Sequence, residues 1–370
     1  MNTDRALYVM IGGFLGAGKT TAVKRLAEYL GARGKRVGLI TNDQSSGLVD
    51  TRMLRQGGFQ VEEITGGCFC CRFSSLAEAA EKLEADGRPD VILAEPVGSC
   101  TDLVATVSYP LRRIYGERFC IAPLSVLLDP ERARRVLGLA QGRVFSPKVL
   151  YVFHKQLEEA DLIVVNKVDC LQPAELEELL GALRKRYPAK QVLAASAKDG
   201  AGADAWFERL LTEESPAQPT MDVDYQVYAE GEALLGWYNA TVELVSQERF
   251  DANALLLDWA QSVRRTLASR GVEIAHLKAT LDNGGQLAAL SLVSTAGEPD
   301  LREALVEGVL GGELILNLRA EAGPELLAQT ARLALEDCIA TRSSLSARRE
   351  HEEFFEPSPP VPTHRDTVES

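Results

Sequence analysis

Hydrophobic positions in the first half of the chain come as short unbroken runs: Leu7–Ile11, Val37–Thr41, Gln60–Thr65, Asp90–Ala94, Ile121–Leu128, Asp161–Val165 and Gln191–Ala195. Strands that are apolar on both sides belong to a parallel sheet covered on both faces. Between them, leucines recur at three- and four-residue spacing over Thr20–Arg33, Ser75–Ala85, Asp129–Leu139 and Pro173–Arg186, the period of helices laid on such a sheet. This alternation predicts an α/β domain with a mostly parallel sheet over residues 1–215.

The pattern lapses at Thr212–Asp224, where prolines, acids and small polar residues take over, and a linker is expected at 216–225. Beyond it, strand patterns at Trp237–Val245, Val272–Leu281, Gln286–Ser294 and Glu313–Ala320 are interleaved with helical ones at Asn253–Ser269 and Pro299–Val309. Asn283-Gly284-Gly285 offers the left-handed positions of a tight hairpin. The order β-α-β-β-α-β is that of a smaller, ferredoxin-like (split βαβ) α+β domain, expected over 226–345. A last helix, Pro324–Ala340, should pack on it. Residues 346–370, with prolines at 357, 359, 360 and 362, read as an extended tail.

Composition narrows the function. With 40 Lys+Arg against 53 Asp+Glu, the net charge is −13 and no long basic block occurs, so nucleic acid or an anionic membrane surface has little electrostatic support as a partner. No run approaches the roughly 18 apolar residues of a membrane span. The apolar stretch Ala6–Gly18 imitates a short leader but runs directly into Lys19-Thr20-Thr21. Seven cysteines, an odd number, fit a reducing compartment, and the cytoplasm is the expected location.

Gly13-Phe14-Leu15-Gly16-Ala17-Gly18-Lys19-Thr20 fits G-x-x-x-x-G-K-[ST], placed after a strand and opening a helix. Its glycines let backbone N–H groups turn inward around phosphate oxygens, Lys19 reaches the β- and γ-phosphates, and the Thr20 hydroxyl takes a Mg²⁺ position, with Thr21 continuing the helix start. A P-loop NTPase domain follows. Asn166-Lys167-Val168-Asp169 stands where GTPases carry N-K-x-D, so the Asp169 carboxylate would accept the two donors that guanine presents and adenine lacks. Ser196-Ala197-Lys198 would support the base from its other side. At the end of the fourth strand, Glu95-Pro96-Val97-Gly98 resembles a Walker B element: Glu95 would reach Mg²⁺, and the Gly98 N–H would sense the γ-phosphate. Asp43 and Asp50, in the polar stretch after the second strand, are candidates for holding Mg²⁺ or orienting the attacking water.

Gly66-Gly67-Cys68-Phe69-Cys70-Cys71 places three thiols within four residues. Thiols so close are best relieved by a metal that deprotonates them, and thiolates select soft ions such as Zn²⁺, Cu⁺ or Co²⁺ over Mg²⁺. Three ligands on a tetrahedral ion leave a position open, as handing the ion on would require. Cys100, shortly after Gly98, is a candidate fourth ligand that would have to approach the cluster. Cys120, Cys170 and Cys338 lie on apolar segments and are expected in the core.

Taken in order, GGFLGAGKTT, GGCFCC, EPVG and NKVD resemble the CobW-type metallochaperone GTPases, relatives of UreG, HypB and MeaB. The resemblance covers about residues 6–215. It implies slow hydrolysis of GTP to GDP with Mg²⁺, a transition metal (zinc first, cobalt second) on Cys68, Cys70 and Cys71, and delivery of that metal, or of a metal-containing cofactor, to a client metalloenzyme or organometallic-cofactor enzyme. A homodimer is an assembly to test. Two departures stand out: the family's N-E-F-G-E switch reads Asn42-Asp43-Gln44-Ser45-Ser46 here, and the family's frequent histidine-rich stretch is absent. From the residues alone, a small-molecule P-loop kinase and a non-catalytic metal-binding or sensing module remain as alternatives.

Overall fold

The computed structural model describes residues 5–42, 54, 58–85, 87–215 and 219–367. The candidate carboxylates Asp43 and Asp50 lie outside the described residues. The chain forms two compact units, one comprising residues 1–141, 150–229 and 359–370, the other 142–149 and 230–358.

In the first unit the runs of buried side chains become strands β1 (Ala6–Gly13), β2 (Val37–Asn42), β3 (Gln60–Ile64), β4 (Val91–Glu95), β5 (Phe119–Ile121), β6 (Ser125–Leu128), β7 (Leu162–Val165) and β8 (Gln191–Ala194). All pair in parallel in the order β3-β2-β4-β1-β6-β7-β8, with β5 beside the start of β1. The single run expected over Ile121–Leu128 is broken because Pro123 has no N–H to give to a ladder, so β5 pairs with Ala6–Tyr8 and β6 with Ile11–Gly13.

Helix α1 (Lys19–Gly31) opens from the phosphate loop and buries Ala22, Val23, Leu26, Ala27 and Leu30 on one stripe against Leu7, Val9 and Ile11 of β1. The other helices of this unit are α2 (Phe73–Ala85), α3 (Tyr109–Tyr115), α4 (Pro130–Val136), α5 (Pro147–Glu159, whose first residues belong to the second unit), α6 (Pro173–Arg186), α7 (Ala203–Thr212) and α8 (Tyr225–Ala233, whose last residues belong to the second unit). This arrangement sends the loops after β1, β2, β4, β6 and β7 to the carboxyl edge of the sheet, where ligands of open α/β sheets bind.

The second unit holds β9 (Leu235–Phe250), α9 (Ala252–Ser269), β10 (Ile274–Asp282), β11 (Leu287–Leu292), β12 (Asp300–Glu303), β13 (Val309–Glu321), α10 (Pro324–Ala340) and β14 (Leu345–Phe355). Its sheet is antiparallel between neighbours, in the order β12-β11-β10-β13-β9-β14. The set β9-α9-β10-β13-α10-β14 has the ferredoxin-like order, with β11 and β12 added at one edge. Residues 299–309, expected as a helix, form β12 and a loop into β13 instead. Leu301, Leu305 and Val309 recur every fourth residue, a spacing that suits an extended chain as well as a helix, and all three pack on the core. The second crossover helix is therefore α10, and the fourth strand comes from the expected tail.

Among the described residues no helix is long and apolar enough to cross a membrane.

Candidate functional site

The phosphate loop is held open by what grips its outer side. Gly13, Gly16 and Gly18 have φ of +129°, +80° and +92°, which turn successive peptide units over. Three consecutive carbonyls then face outward, and each finds a side chain. Leu15 O accepts from Arg132, Gly16 O from Lys167 Nζ at 2.7 Å, and Ala17 O from Asn166 Nδ2 at 2.8 Å. With the carbonyls committed outward, the loop's N–H groups line a concavity suited to phosphate. Lys19 is buried and donates to Gly13 O at 3.0 Å.

Two of the gripping residues, Asn166 and Lys167, come from the N-K-x-D segment. Asn166 also accepts from Ala197 N at 2.9 Å, tying the phosphate loop to Ser196-Ala197-Lys198. Lys167 sits in the left-handed region at φ 58° and pairs with Asp129 at 2.7 Å. Asp129 follows β6 and caps α4 through Arg132 N at 2.9 Å; the sequence motifs do not single it out, although Asp-Pro after an apolar run is a helix-start signal. Burial opposes its ionisation, but Lys167 and then Arg132 outweigh burial and hold it below the usual carboxylate range. Asp169 lies in a short 3-10 turn, Val168–Cys170, with its side chain exposed at the rim, and Lys198 is exposed beside buried Ser196 and Ala197. Cys170 is exposed rather than in the core, because that turn carries it past the end of β7, whereas Cys120 and Cys338 are buried.

Glu95 is buried at the end of β4 and accepts from Thr20 Oγ1 at 3.0 Å, which brings together the two residues expected at Mg²⁺. Gly98 sets the path of the loop that follows. A Cβ there would lie 2.9 Å from Leu15 N, so only glycine lets this loop touch the phosphate loop. The loop then turns back through Cys100 N to Val97 O at 3.0 Å, and Gln156 Nε2 clamps it by donating to Gly98 O at 3.0 Å and Cys100 O at 2.9 Å.

The cysteines occupy a single turn leading into α2, closed by Cys71 N to Cys68 O at 3.1 Å and Arg72 N to Cys68 O at 2.9 Å. Cys68 and Cys70 are buried and Cys71 is half-buried. Their sulfurs lie 2.7 Å (Cys68–Cys70), 3.2 Å (Cys68–Cys71) and 3.7 Å (Cys70–Cys71) apart. Sulfurs on a tetrahedral zinc, with bonds of about 2.3 Å, stand roughly 3.8 Å apart. One edge already matches and the others would open by about 1 Å or less, so the donor set fits a soft tetrahedral ion.

Hydrogen bonding splits the three thiols. Hydrogen bonds shared with Cys100, then Cys70 and Cys71, hold Cys68 far below the usual thiol range, while sharing with Cys68 and then Cys71 holds Cys70 far above it. Cys71 is pushed up to about 11, mainly by the same sharing with Cys68.

Two neighbours of the cluster escape sequence reading. Asn42, at the end of β2, donates to Ile64 O at 3.1 Å and Gly67 O at 2.8 Å, binding the first residue of the expected switch to the cysteine turn. The segment after Ser358 lies along the turn: Val361 N donates to Cys71 Sγ at 3.2 Å, Thr363 N to Cys70 O at 2.8 Å, and His364 stands edge-on to Phe73. Arg365 then pairs at 2.8 Å with buried Asp102, which Tyr225 also contacts at 2.6 Å. A proline-rich end gives no sequence signal for such docking, since it has neither helical nor strand period.

Several known proteins resemble this nucleotide domain. The family model described as CobW/HypB/UreG, nucleotide-binding domain, matches residues 7–194. The zinc chaperone CobW of Sinorhizobium sp is 29% identical over 223 residues, covering 55% of this chain and 62% of its own. The zinc chaperone YeiR of Escherichia coli strain K12 is 30% identical over 177 residues, covering 46% and 49%. The urease accessory protein UreG of Mycolicibacterium gilvum is 30% identical over 217 residues, covering 56% of this chain and 94% of its own. The chain thus spans about half to three-fifths of the length of these two zinc chaperones. With a phosphate loop, an N-K-x-D segment and a cysteine turn on one parallel sheet, and a family match over residues 7–194, this chain belongs to the CobW/HypB/UreG family.

Proposed function

We propose that this chain is a GTP-hydrolysing metallochaperone. It takes a transition metal as cargo on Cys68, Cys70 and Cys71, zinc before cobalt, and passes it, or a cofactor containing it, to a client metalloenzyme under control of the GTP or GDP state. The observation that carries this reading is the convergence of three thiol sulfurs within 4.8 Å on a turn that Asn42 ties to the start of the switch segment. Relatives named zinc chaperones support zinc as the cargo.

In the reaction, GTP + H₂O gives GDP and phosphate. The inward N–H groups of Gly13–Thr20 and the Lys19 ammonium, exchanging Gly13 O for phosphate oxygens, hold the β- and γ-phosphates in place. Asp169 accepts from guanine, while Asn166 and Ala197 fix the base loop against the phosphate loop. Thr20 and Glu95 would hold Mg²⁺, which supplies neutralisation of charge on the transferring phosphoryl group. Arg132 is committed to Leu15 O, so it serves as a clamp on the loop, and unaided turnover is expected to be slow. Asp43 and Asp50 remain the proposed carboxylates for orienting water.

The test is phosphate release from GTP and from ATP, with zinc stoichiometry on the same samples. Mg²⁺-dependent release that prefers GTP, vanishes in Lys19→Ala and persists in Cys68→Ser supports the proposal, provided that Cys68→Ser loses the zinc. Equal turnover of ATP, or zinc retained by Cys68→Ser, contradicts it.

A further inference from the structure

The proline-rich segment from Pro359 belongs to the same compact unit as the cysteine turn, and its bonds there divide into a weak set and a strong one. At the turn itself they are light. Val361 N donates to Cys71 Sγ at 3.2 Å, Thr363 N to Cys70 O at 2.8 Å and Thr363 Oγ1 to Cys71 O at 3.2 Å. Val361 is 73% exposed, so water can take over such bonds at little net cost. Two residues past Thr363 the segment is anchored by charge. Arg365 Nε donates at 2.8 Å to Asp102, whose side chain is only 2% exposed and also accepts from Tyr225 at 2.6 Å. Arg365 donates further to Met221 O at 2.9 Å, Asp366 pairs with Arg113 of α3 at 2.6 Å, and Asp366 N reaches Ala105 O at 2.8 Å. A desolvated carboxylate holds its cation far more firmly than a half-exposed sulfur holds an amide.

We propose that residues 359–366 form a strap over the cargo sulfurs, latched by Arg365 on Asp102, and that the nucleotide state sets whether the latch holds. The inference rests on the metallochaperone reading and deepens it with a means of regulation. Cys71 is the sulfur by which the site is approached, since it is half-buried while Cys68 and Cys70 are buried. The strap crosses that approach, so an acceptor reaches the ion only after the segment lifts.

The latch stands where the nucleotide can act on it. Asp102 lies four residues beyond Gly98 on the loop after β4, and Gly98 packs against Leu15 of the phosphate loop. The stretch between is short and braced: the turn from Val97 O to Cys100 N and the two bonds from Gln156 let it shift as one piece. Asp102 has φ 64°, a left-handed backbone that a residue with a side chain keeps only where its surroundings fix it. A γ-phosphate drawing on the Gly98 N–H at one end of this loop therefore re-aims the carboxylate at the other, and Arg365 with it.

The test follows Zn²⁺ leaving the full chain by stopped flow, starting from one bound equivalent, with a chromogenic chelator in excess and Mg²⁺ with GDP or a non-hydrolysable GTP analogue. Wild type, Arg365→Gln and a chain lacking residues 359–370 are compared. Labelling of Cys71 by a maleimide is measured on the same three proteins free of metal. Release and labelling are expected to quicken by roughly tenfold in Arg365→Gln, the effect of losing one charge-assisted bond, and at least as much in the shortened chain. The nucleotide difference in release seen in wild type is expected to vanish in both variants. Wild-type rates in Arg365→Gln, or a nucleotide difference undiminished in the shortened chain, overturn the proposal, as does a wild type that releases zinc equally in both nucleotides. The broader reading fails differently, by the absence of stoichiometric zinc on the sulfurs, and the labelling then still decides whether the strap is latched.

Discussion

Asp129→Asn isolates the contribution of the charge that anchors the nucleotide loops. Asparagine preserves the shape and serves as well as aspartate as a helix cap, so the bond from Arg132 N is retained. What disappears is the 2.7 Å ion pair with Lys167, whose side chains are only 6% (Asp129) and 15% (Lys167) exposed. Stranding one partner of a buried pair costs roughly 3–5 kcal/mol. Lys167 keeps its bond to Gly16 O and some water, which reduces the expected loss to about 2 kcal/mol. In a unit of this size that lowers the melting temperature by about 4–8 °C. A Lys167 no longer fixed by Asp129 holds the Gly16 carbonyl less rigidly, so GTP affinity should fall by roughly tenfold, about 1.4 kcal/mol.

The pH dependence of that loss has a definite sign. The folded value of Asp129 is depressed, so its contribution is fully present above the ordinary carboxylate value and is lost as pH falls through the lower folded one. Wild type and variant should therefore differ undiminished at neutral pH and down to about pH 4, and converge only in stronger acid. Scanning calorimetry across pH and titration with a fluorescent GTP analogue provide the data. Indistinguishable melting and affinity at pH 7 would refute the reasoning.

Other expectations follow from single contacts. Glu159 is buried, which together with the nearby Asp102 charge raises its carboxyl to about 8; the fold favours its neutral form, so it should make stability decline as pH rises from about 4.5 toward 8. Glu159→Gln should flatten the melting-temperature profile in that window, and an unchanged slope would count against the assignment. Gly98→Ala pushes a methyl to 2.9 Å from Leu15 N, and isothermal titration should show GTP binding weakened by about 1–3 kcal/mol; full affinity would mean that the two loops separate freely. Removal of residues 359–370 uncovers half-buried Cys71, so its labelling by a maleimide should accelerate severalfold while exposed Cys170 stays constant as an internal reference. Equal Cys71 rates before and after truncation would show that the segment does not cover it.

The parallel sheet is legible in the sequence because its strands are apolar on both faces, and the phosphate loop because glycines, lysine and threonine recur at a spacing that phosphate geometry demands. What escapes is structure without period. Strand β14 reads LSARREHEEFF and is held at the sheet edge by ion pairs such as Arg332–Glu352 at 2.5 Å and Arg348–Glu243 at 2.6 Å, so no hydrophobic alternation announces it. Leu301, Leu305 and Val309 mislead because a four-residue spacing serves two backbone conformations. At the site, the named motifs are visible one by one, but their mutual grips are not. Arg132, Lys167 and Asn166 take three consecutive carbonyls of one loop, an arrangement created by the fold from segments more than a hundred residues from that loop.

The central claim is that the thiol cluster and the nucleotide pocket share connected loops, so that the state of one sets the affinity of the other. It is tested most directly by competing the full chain against a chromogenic chelator for Zn²⁺ with Mg²⁺ and either GDP or a non-hydrolysable GTP analogue present. The account predicts zinc dissociation constants that differ between the two nucleotide states, by roughly tenfold for a coupling of about 1.4 kcal/mol. The same constant in both states, measured on protein that binds both ligands stoichiometrically, would contradict it.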